Sequence, residues 1–304
     1  MSPAPNWREQ LRCPQCRQAL TAEARALRCA ACGTGYEVTP TDVPLLLTPD
    51  DRRRFAARLE TPGGAHMEEE YARRRQPGWG ARLARALSPP LPVYHNPAEP
   101  PLPRSPDGLN LWLGGGGRRT PGFVNLDLAP FEGVDLVAHA GRLPFGDDSC
   151  DAVACDALLE HVEDPSAVVA EIRRILKPGG HVLATVPFCH PWHGYPADFH
   201  RFSREGLARL FADFDCVSLG VRTGPTTTLL TFLTYYWKLI FPVHARNPLR
   251  RGFNRGLVAG WGWLTAPLRY LDRWLLRRPD AHTLANHLYL LARKKSEAQE
   301  AKEA

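Results

Sequence analysis

The run Leu109-Asn-Leu-Trp-Leu-Gly114-Gly-Gly-Gly-Arg118-Arg-Thr-Pro-Gly122-Phe-Val-Asn-Leu-Asp127 changes character twice. Apolar Leu109 to Leu113 breaks into four glycines, Gly114 to Gly117. A second apolar run, Phe123 to Leu126, ends on the acid Asp127. The pattern predicts a buried strand, a glycine loop at its carboxyl end, and a second strand presenting a carboxylate. Open α/β sheets bind ligands at the carboxyl ends of their strands. Glycine lets the backbone approach a ligand without a Cβ in the way. A carboxylate at the next strand tip can accept hydrogen bonds from two ribose hydroxyls. Gly114, Gly116 and Asp127 therefore read as a nucleoside site, although a glycine-rich surface turn between two core strands would give the same run.

The dinucleotide fingerprint does not fit. Its third glycine would fall at Arg119, and its acid lies about 20 residues on, beyond a full helix. Arg118 to Gly122 leaves room for little more than a turn. No long helix offers its N-terminus to a pyrophosphate. A nucleoside ligand without a pyrophosphate, such as S-adenosylmethionine, fits better.

Downstream motifs extend this reading. Leu143-Pro144-Phe145 precedes Asp148-Ser149-Cys150-Asp151-Ala152-Val153. Leu159-Glu160-His161-Val162-Glu163-Asp164-Pro165 follows, and then Leu176-Lys177-Pro178-Gly179-Gly180. In this order and spacing the chain resembles the class I S-adenosylmethionine-dependent methyltransferases from Asn110 to about Phe214. The resemblance implies an α/β fold: a Rossmann-like sheet, mostly parallel, with the last strand antiparallel. It also implies that Asp127 holds the ribose, that Leu143 and Phe145 wall the adenine plane beside Ala140 (core packing would explain the two equally), and that Asp156 closes the fourth strand beside the donor. Most members carry an acid after the third strand to bind the adenine amino group. Here His139 stands there, and a neutral imidazole can accept the same bond.

Apolar patterning places strands at Val134 to Ala138, Ala152 to Cys155, His181 to Val186, Cys216 to Val221 and Leu284 to Ala292. A helix capped by Asp164 and Pro165 buries Val168, Val169, Ile172, Ile175 and Leu176 and ends at Lys177-Pro178-Gly179-Gly180. Strands alternating with helices of this length imply parallel crossovers.

Two C-x₂-C knuckles, Cys13/Cys16 and Cys29/Cys32, stand ahead of this region. Four thiolates suit tetrahedral zinc, and so small a segment has little core of its own. With Tyr36-Glu37-Val38 and Val43 to Leu47, the segment resembles the small zinc ribbons that activate methyltransferases. Four of the 8 cysteines sit in these knuckles and four are scattered. That usage points to a reducing, cytoplasmic setting, and Met1 to Gln10 is too polar for a leader.

The expected organisation is a zinc ribbon over 1–48, and a charged helical segment with a proline-rich linker over 49–106. A methyltransferase domain over 107–222 and 283–295 is interrupted by a helical aromatic and basic insertion, 223–282. In the linking segment, Phe55 and Leu59 suggest a short amphipathic helix. Arg52 to Arg54, Glu68 to Glu70 and Arg73 to Arg75 are solvated charge runs or a phosphate patch. Prolines between Ser88 and Pro106 mark a linker or wrapping arm.

The loop after the fifth strand carries His190, His193, Asp198 and His200. These are candidates for general-base or acceptor-binding roles, since imidazole removes protons near neutral pH. Helix capping or aromatic packing would explain them at least as well, and a second metal is a lesser alternative. The insertion interleaves Trp and Tyr with arginines. It is interrupted by Lys238 and Pro242 and too short to span a bilayer. It could lie on a membrane surface, cover the substrate cleft, or form a homodimer face.

The methyl acceptor is not visible. No Asn-Pro-Pro-Tyr run or Pro-Cys pair marks a base methylator, which favours a small molecule, glycan or lipid-linked acceptor. RNA is the alternative, on the strength of the ribbon and a net charge of +6. A non-catalytic, methyltransferase-like partner protein is a further one, given Trp112 and His139.

Overall fold

The computed structural model describes residues 7–56, 88–194 and 197–296. The N-terminal segment forms a three-stranded antiparallel sheet: β1 (Leu20–Glu23), β2 (Ala26–Cys29) and β3 (Gly35–Glu37). The next strand, β4 (Leu45–Leu46), leaves that sheet. It pairs in parallel with β7 (Leu136–Ala138) through Leu45–Val137 and Leu46–Ala138. Leu46 has no exposure and Leu47 only 1%, so apolar burial draws the segment onto the main sheet. Val43 to Leu47 thus ties the ribbon to the sheet edge.

The principal sheet has eight strands in the order β10-β11-β9-β8-β5-β6-β7-β4. Its centre is β5 (Asn110–Leu113), parallel to β6 (Val124–Asp127) on one side and β8 (Cys150–Asp156) on the other. Beyond β8 lies β9 (Leu176–Pro187), also parallel. The last strand, β11 (His287–Lys294), runs against both β9 and β10 (Phe214–Thr223). This is the Rossmann-like, mostly parallel sheet expected from the motifs. Leu111, Leu113, Val153, Val182 and Ala184 have no exposure at all. Burial on both faces explains why these strands read as unbroken apolar runs.

The helix α2 (Pro165–Ile175), which joins β8 to β9, is capped by Asp164, whose carboxylate accepts from Ala167 N. It stops at Ile175, and the expected terminator Lys177 to Gly180 instead opens β9. Leu176 pairs with Cys150, and a register shift with Gly179 at φ +80° carries the turn inside the strand. At the other end, Ala281–Leu284 forms a 3₁₀ turn, so the final strand begins at His287 and not at Leu284. A short helix, α1 (Pro49–Arg54), ends ahead of Phe55, its C-cap, and the expected pairing of Phe55 with Leu59 on one helix face is not seen in the described residues. Leu59, Glu68 to Glu70 and Arg73 to Arg75 lie outside the described residues.

A third sheet-packed helix, α3 (Arg204–Leu210), precedes β10, and the insertion follows that strand. It holds α4 (Pro225–Ile240), α5 (Pro248–Thr265) and the short α6 (Asp272–Leu275). The N-cap of α4 is Gly224, which has no side chain to bond the first amides. Asp272 reaches across instead. Its carboxylate accepts from Thr226 N (2.8 Å), Thr227 N (3.0 Å) and Thr227 Oγ1 (2.9 Å), and it is wholly buried. A Cβ at residue 224 would lie 2.7 Å from Asp272 Cγ, so glycine is needed for this approach. One remote carboxylate therefore caps α4 and folds the end of the insertion back onto its beginning. Asp272→Ala should cost about 2–3 kcal/mol in urea unfolding, the scale of losing charge-assisted bonds at a helix start. A change within experimental error would show that the insertion is held by other contacts.

Candidate active site

Strand register aligns the functional residues. Leu113 pairs with Leu126 in β6 and with Cys155 in β8. One residue further on, Gly114, Asp127 and Asp156 therefore stand in one row along the carboxyl edge. Gly114 (φ +69°) and Gly116 (φ +54°) adopt backbone that side chains disfavour. A Cβ at Gly115 would sit 2.1 Å from Asn125 Oδ1.

Two side chains of β6 hold this loop. Asn125 Nδ2 donates to the carbonyls of Gly116 (2.8 Å), Arg118 (2.9 Å) and Gly133 (2.9 Å). Asp127 accepts from Gly116 N (2.9 Å), Leu128 N (2.7 Å) and Ala129 N (3.3 Å). A carboxylate has about four lone-pair sites. The backbone takes at least three of them.

His139 follows β7, whose Val137 is in register with Asp127. Its ring stacks on Phe55 (centroids 5.5 Å, 20° between planes). Its Nδ1 is buried without a partner, and burial holds its pKa below the usual histidine value. A neutral ring with an orphaned nitrogen suits an amino-group donor. Ala140 (8% exposed) and Leu143 (2%) are packed into the core.

Asp156 faces two guanidinium groups, Arg222 at 3.3 Å and Arg118 at 3.6 Å. Arg222 also donates to Thr185 Oγ1 (2.6 Å) and Glu99 (3.3 Å). Arg118 lies over the Trp112 ring. The proline-rich segment does wrap the sheet. His95 bridges to Thr223, Asn96 Nδ2 donates to Val221 O, and Tyr94 N donates to Thr227 Oγ1. The arm thus crosses the end of β10 and brings Glu99 to Arg222.

The histidine loop divides into two groups. His190 and His193 are edge-to-face, with centroids 4.5 Å apart. His193 is similarly set against His161 at 5.0 Å, and His190 against His287 at 5.2 Å. Burial pushes His287 down to about 3 and holds His190 below its usual value, so both are neutral at pH 7. Asp198 is bound through both oxygens to Arg201 and accepts from His193 N. The guanidinium holds its carboxyl well below the usual range, which makes it an anchor of the loop rather than a base. His200 is half-buried, with Nε2 3.3 Å from Glu163 O. Glu160, His161, Arg222 and His287 were not singled out as site residues from sequence. Leu159-Glu160-His161 was visible only as a family marker.

Cys13, Cys16, Cys29 and Cys32 converge, their sulfurs all within 4.8 Å of one another.

Residues 123–184 match the Methyltransferase domain family. The stretch from β6 into β9 is covered by this match. The chain is similar, over part of its length, to a ubiquinone/menaquinone biosynthesis C-methyltransferase of Desulfotalea psychrophila. The two are 48% identical over 85 residues, 27% of this chain and 35% of that protein. It is also similar to a ubiquinone biosynthesis O-methyltransferase of Proteus mirabilis: 46% over 45 residues, 15% of this chain and 17% of that one. The chain thus spans about a third or less of these relatives' length. Among solved structures, a complex of the Haloferax volcanii Trm112 methyltransferase activator with a putative methyltransferase aligns with 80% of this chain and 98% of that one. The identity is 19% and the TM-score 0.42, a likeness too low to carry function.

The position of Asp127 gives a direct test. Asp127→Ala should weaken S-adenosylmethionine binding by about 2 kcal/mol, roughly 30-fold, through the lost hydroxyl contact and the freed Gly116 amide. Unchanged affinity by calorimetry would remove Asp127 from the site.

Proposed function

We propose that this chain is an S-adenosylmethionine-dependent methyltransferase of an apolar small molecule or lipid-linked acceptor. The observation carrying this is the row Gly114, Asp127 and Asp156 beneath a glycine loop held by Asn125, with Asp127 and Asp156 inside the matched family stretch. Gly114 and Gly116 let a nucleoside lie against the backbone, Asp127 accepts a ribose hydroxyl, and the orphaned His139 Nδ1 accepts from the adenine amino group. When bound, the sulfonium supplies an already activated methyl, so the protein's work is in-line positioning and, for a hydroxyl acceptor, proton removal. His190 is our candidate for the latter. Its Nδ1 lies 2.8 Å from Pro191 O, an acceptor only, so Nδ1 carries the hydrogen and Nε2 the lone pair.

The insertion supports this acceptor class. Residues 223–282 hold nine Lys or Arg against Asp272 and Asp280, more positive charge than the chain's net +6. Interspersed are exposed apolar groups: Leu239 at 79%, Leu249 at 83%, Leu264 at 75% and Trp274 at 62%. No helix among the described residues is long and apolar enough to cross a membrane. Basic groups mixed with exposed Trp and Leu suit the surface of an anionic bilayer. His190 meets Tyr235 of α4 at 6.5 Å, which joins that surface to the cleft. The relatives named for ubiquinone and menaquinone biosynthesis have acceptors of this apolar kind.

We assign zinc to the four cysteines. Cys13–Cys32 and Cys16–Cys29 sulfurs are 3.7 and 3.4 Å apart, against about 3.8 Å for a tetrahedron of 2.3 Å Zn–S bonds. Buried Tyr36 lies 3.0 Å from Cys13 Sγ, and burial beside the thiols pushes its phenol up, so the hydroxyl keeps a proton to donate. Zinc there would join the knuckles and have no part in the transfer.

The test uses methyl-labelled S-adenosylmethionine with separate membrane-lipid and RNA extracts. Label should enter the organic phase of the lipid reaction. Label confined to RNA would favour the nucleic-acid reading, and label in neither, with donor binding intact, would favour a non-catalytic partner.

A further inference from the structure

The Glu160 side chain is wholly buried, yet neither carboxylate oxygen has a hydrogen-bond partner. Two imidazole nitrogens are nearest, His193 Nε2 at 3.6 Å and His161 Nε2 at 3.8 Å from Oε1. Their protonation is constrained from the other side. His161 Nδ1 lies 2.6 Å from Ala197 O, and His193 Nδ1 lies 3.2 Å from Pro191 O. Carbonyl oxygens only accept, so in the tautomer with hydrogen on Nδ1 each ring turns its Nε2 lone pair toward Glu160. In that tautomer three acceptor groups converge in a buried space. Leaving a buried carboxylate so placed is costly, and a cation removes the cost.

We propose that Glu160, His161 and His193 bind a divalent transition-metal cation at the carboxyl edge of β8. The donor set, two imidazoles and one carboxylate, suits first-row divalent ions and leaves coordination positions open. All three ligand atoms lie within 4.8 Å of one another. The observed 3.6 and 3.8 Å separations exceed by a few tenths of an ångström the roughly 3.4 Å edge of a tetrahedron with 2.1 Å bonds. Small side-chain rotations close that gap. The backbone holds the set in place: Glu160 and His161 occupy the 3₁₀ turn directly after β8, and Phe199 N and His200 N both donate to Glu160 O. The carbonyls behind the two histidines orient them as outer partners of metal-bound imidazoles do. Asp198 accepts from His193 N, so it positions a ligand without being one.

The open positions would take oxygen atoms of an acceptor bearing adjacent hydroxyl or carbonyl groups, lowering the hydroxyl pKa and fixing its direction. This last step rests on the methyltransferase reading, whereas metal binding does not. The cation would make His193 a ligand and leave His190, next along the row, as the base.

The experiment uses the full chain with its cysteine site zinc-loaded, titrated with Mn²⁺ and read by electron paramagnetic resonance of the free ion. About one Mn²⁺ per chain should bind. Glu160→Gln and His193→Ala should each weaken binding at least about tenfold, while zinc content and S-adenosylhomocysteine affinity stay at wild-type values. Retained zinc and donor affinity also show that the variants are folded. Wild-type protein that takes up no Mn²⁺, or variants that bind it as tightly as wild type, would overturn the site. In that case a proton shared with the histidines would be what satisfies Glu160. Loss of donor binding in wild type with Mn²⁺ uptake intact would instead fault the methyltransferase reading and leave the metal site standing.

Discussion

The carboxyl edge depends on two β6 side chains that hold the glycine loop shut. Asn125 gathers three carbonyls and Asp127 three amides, so that the backbone from Gly114 to Arg118 has nowhere else to go. The constraint is two-sided. The loop can fold this tightly only because Gly115 has no Cβ to meet Asn125, and Asn125 can reach its carbonyls only because the loop is this tight. Each bond is worth about 1 kcal/mol net, but losing one partner leaves several buried groups unpaired. Structure and site thus share the same atoms.

Both flanks of the sheet are then closed by chain from outside the core motif. On one edge the ribbon adds β4, and Val137 N donates to Pro44 O. On the other, the proline-rich arm lies across β10 and brings Glu99 against Arg222. The insertion is closed on itself by Asp272. The glycine loop and β10 meet at Asp156, whose charge Arg118 and Arg222 offset.

What was legible in sequence was local. The glycine loop, the alternation of apolar runs, the Asp164 cap and the two cysteine knuckles each declare themselves within a few residues, and the sheet follows from them. What was not legible was set by distant contacts. Nothing near Asp272 says that it caps a helix 46 residues earlier. Lys177 to Gly180 looked like a helix stop because proline and glycine end helices. Pairing of Leu176 with Cys150 made it strand. The four polar residues of the histidine loop were indistinguishable by spacing. Only the fold separates His200, beside Glu163, from His193, and only the fold brings His161 and Glu160 against His193. Adenine contacts at Ala140 and Leu143, inferred from resemblance, meet side chains already occupied in the core.

Amide hydrogen exchange of the full chain, with and without S-adenosylhomocysteine, tests the central claim that the β5–β6 edge is a nucleoside site. Slower exchange is predicted at 114–118 and 127–129, with no change at the cysteine knuckles, 13–16 and 29–32. No protection at saturating ligand, or protection confined to other segments, would contradict it.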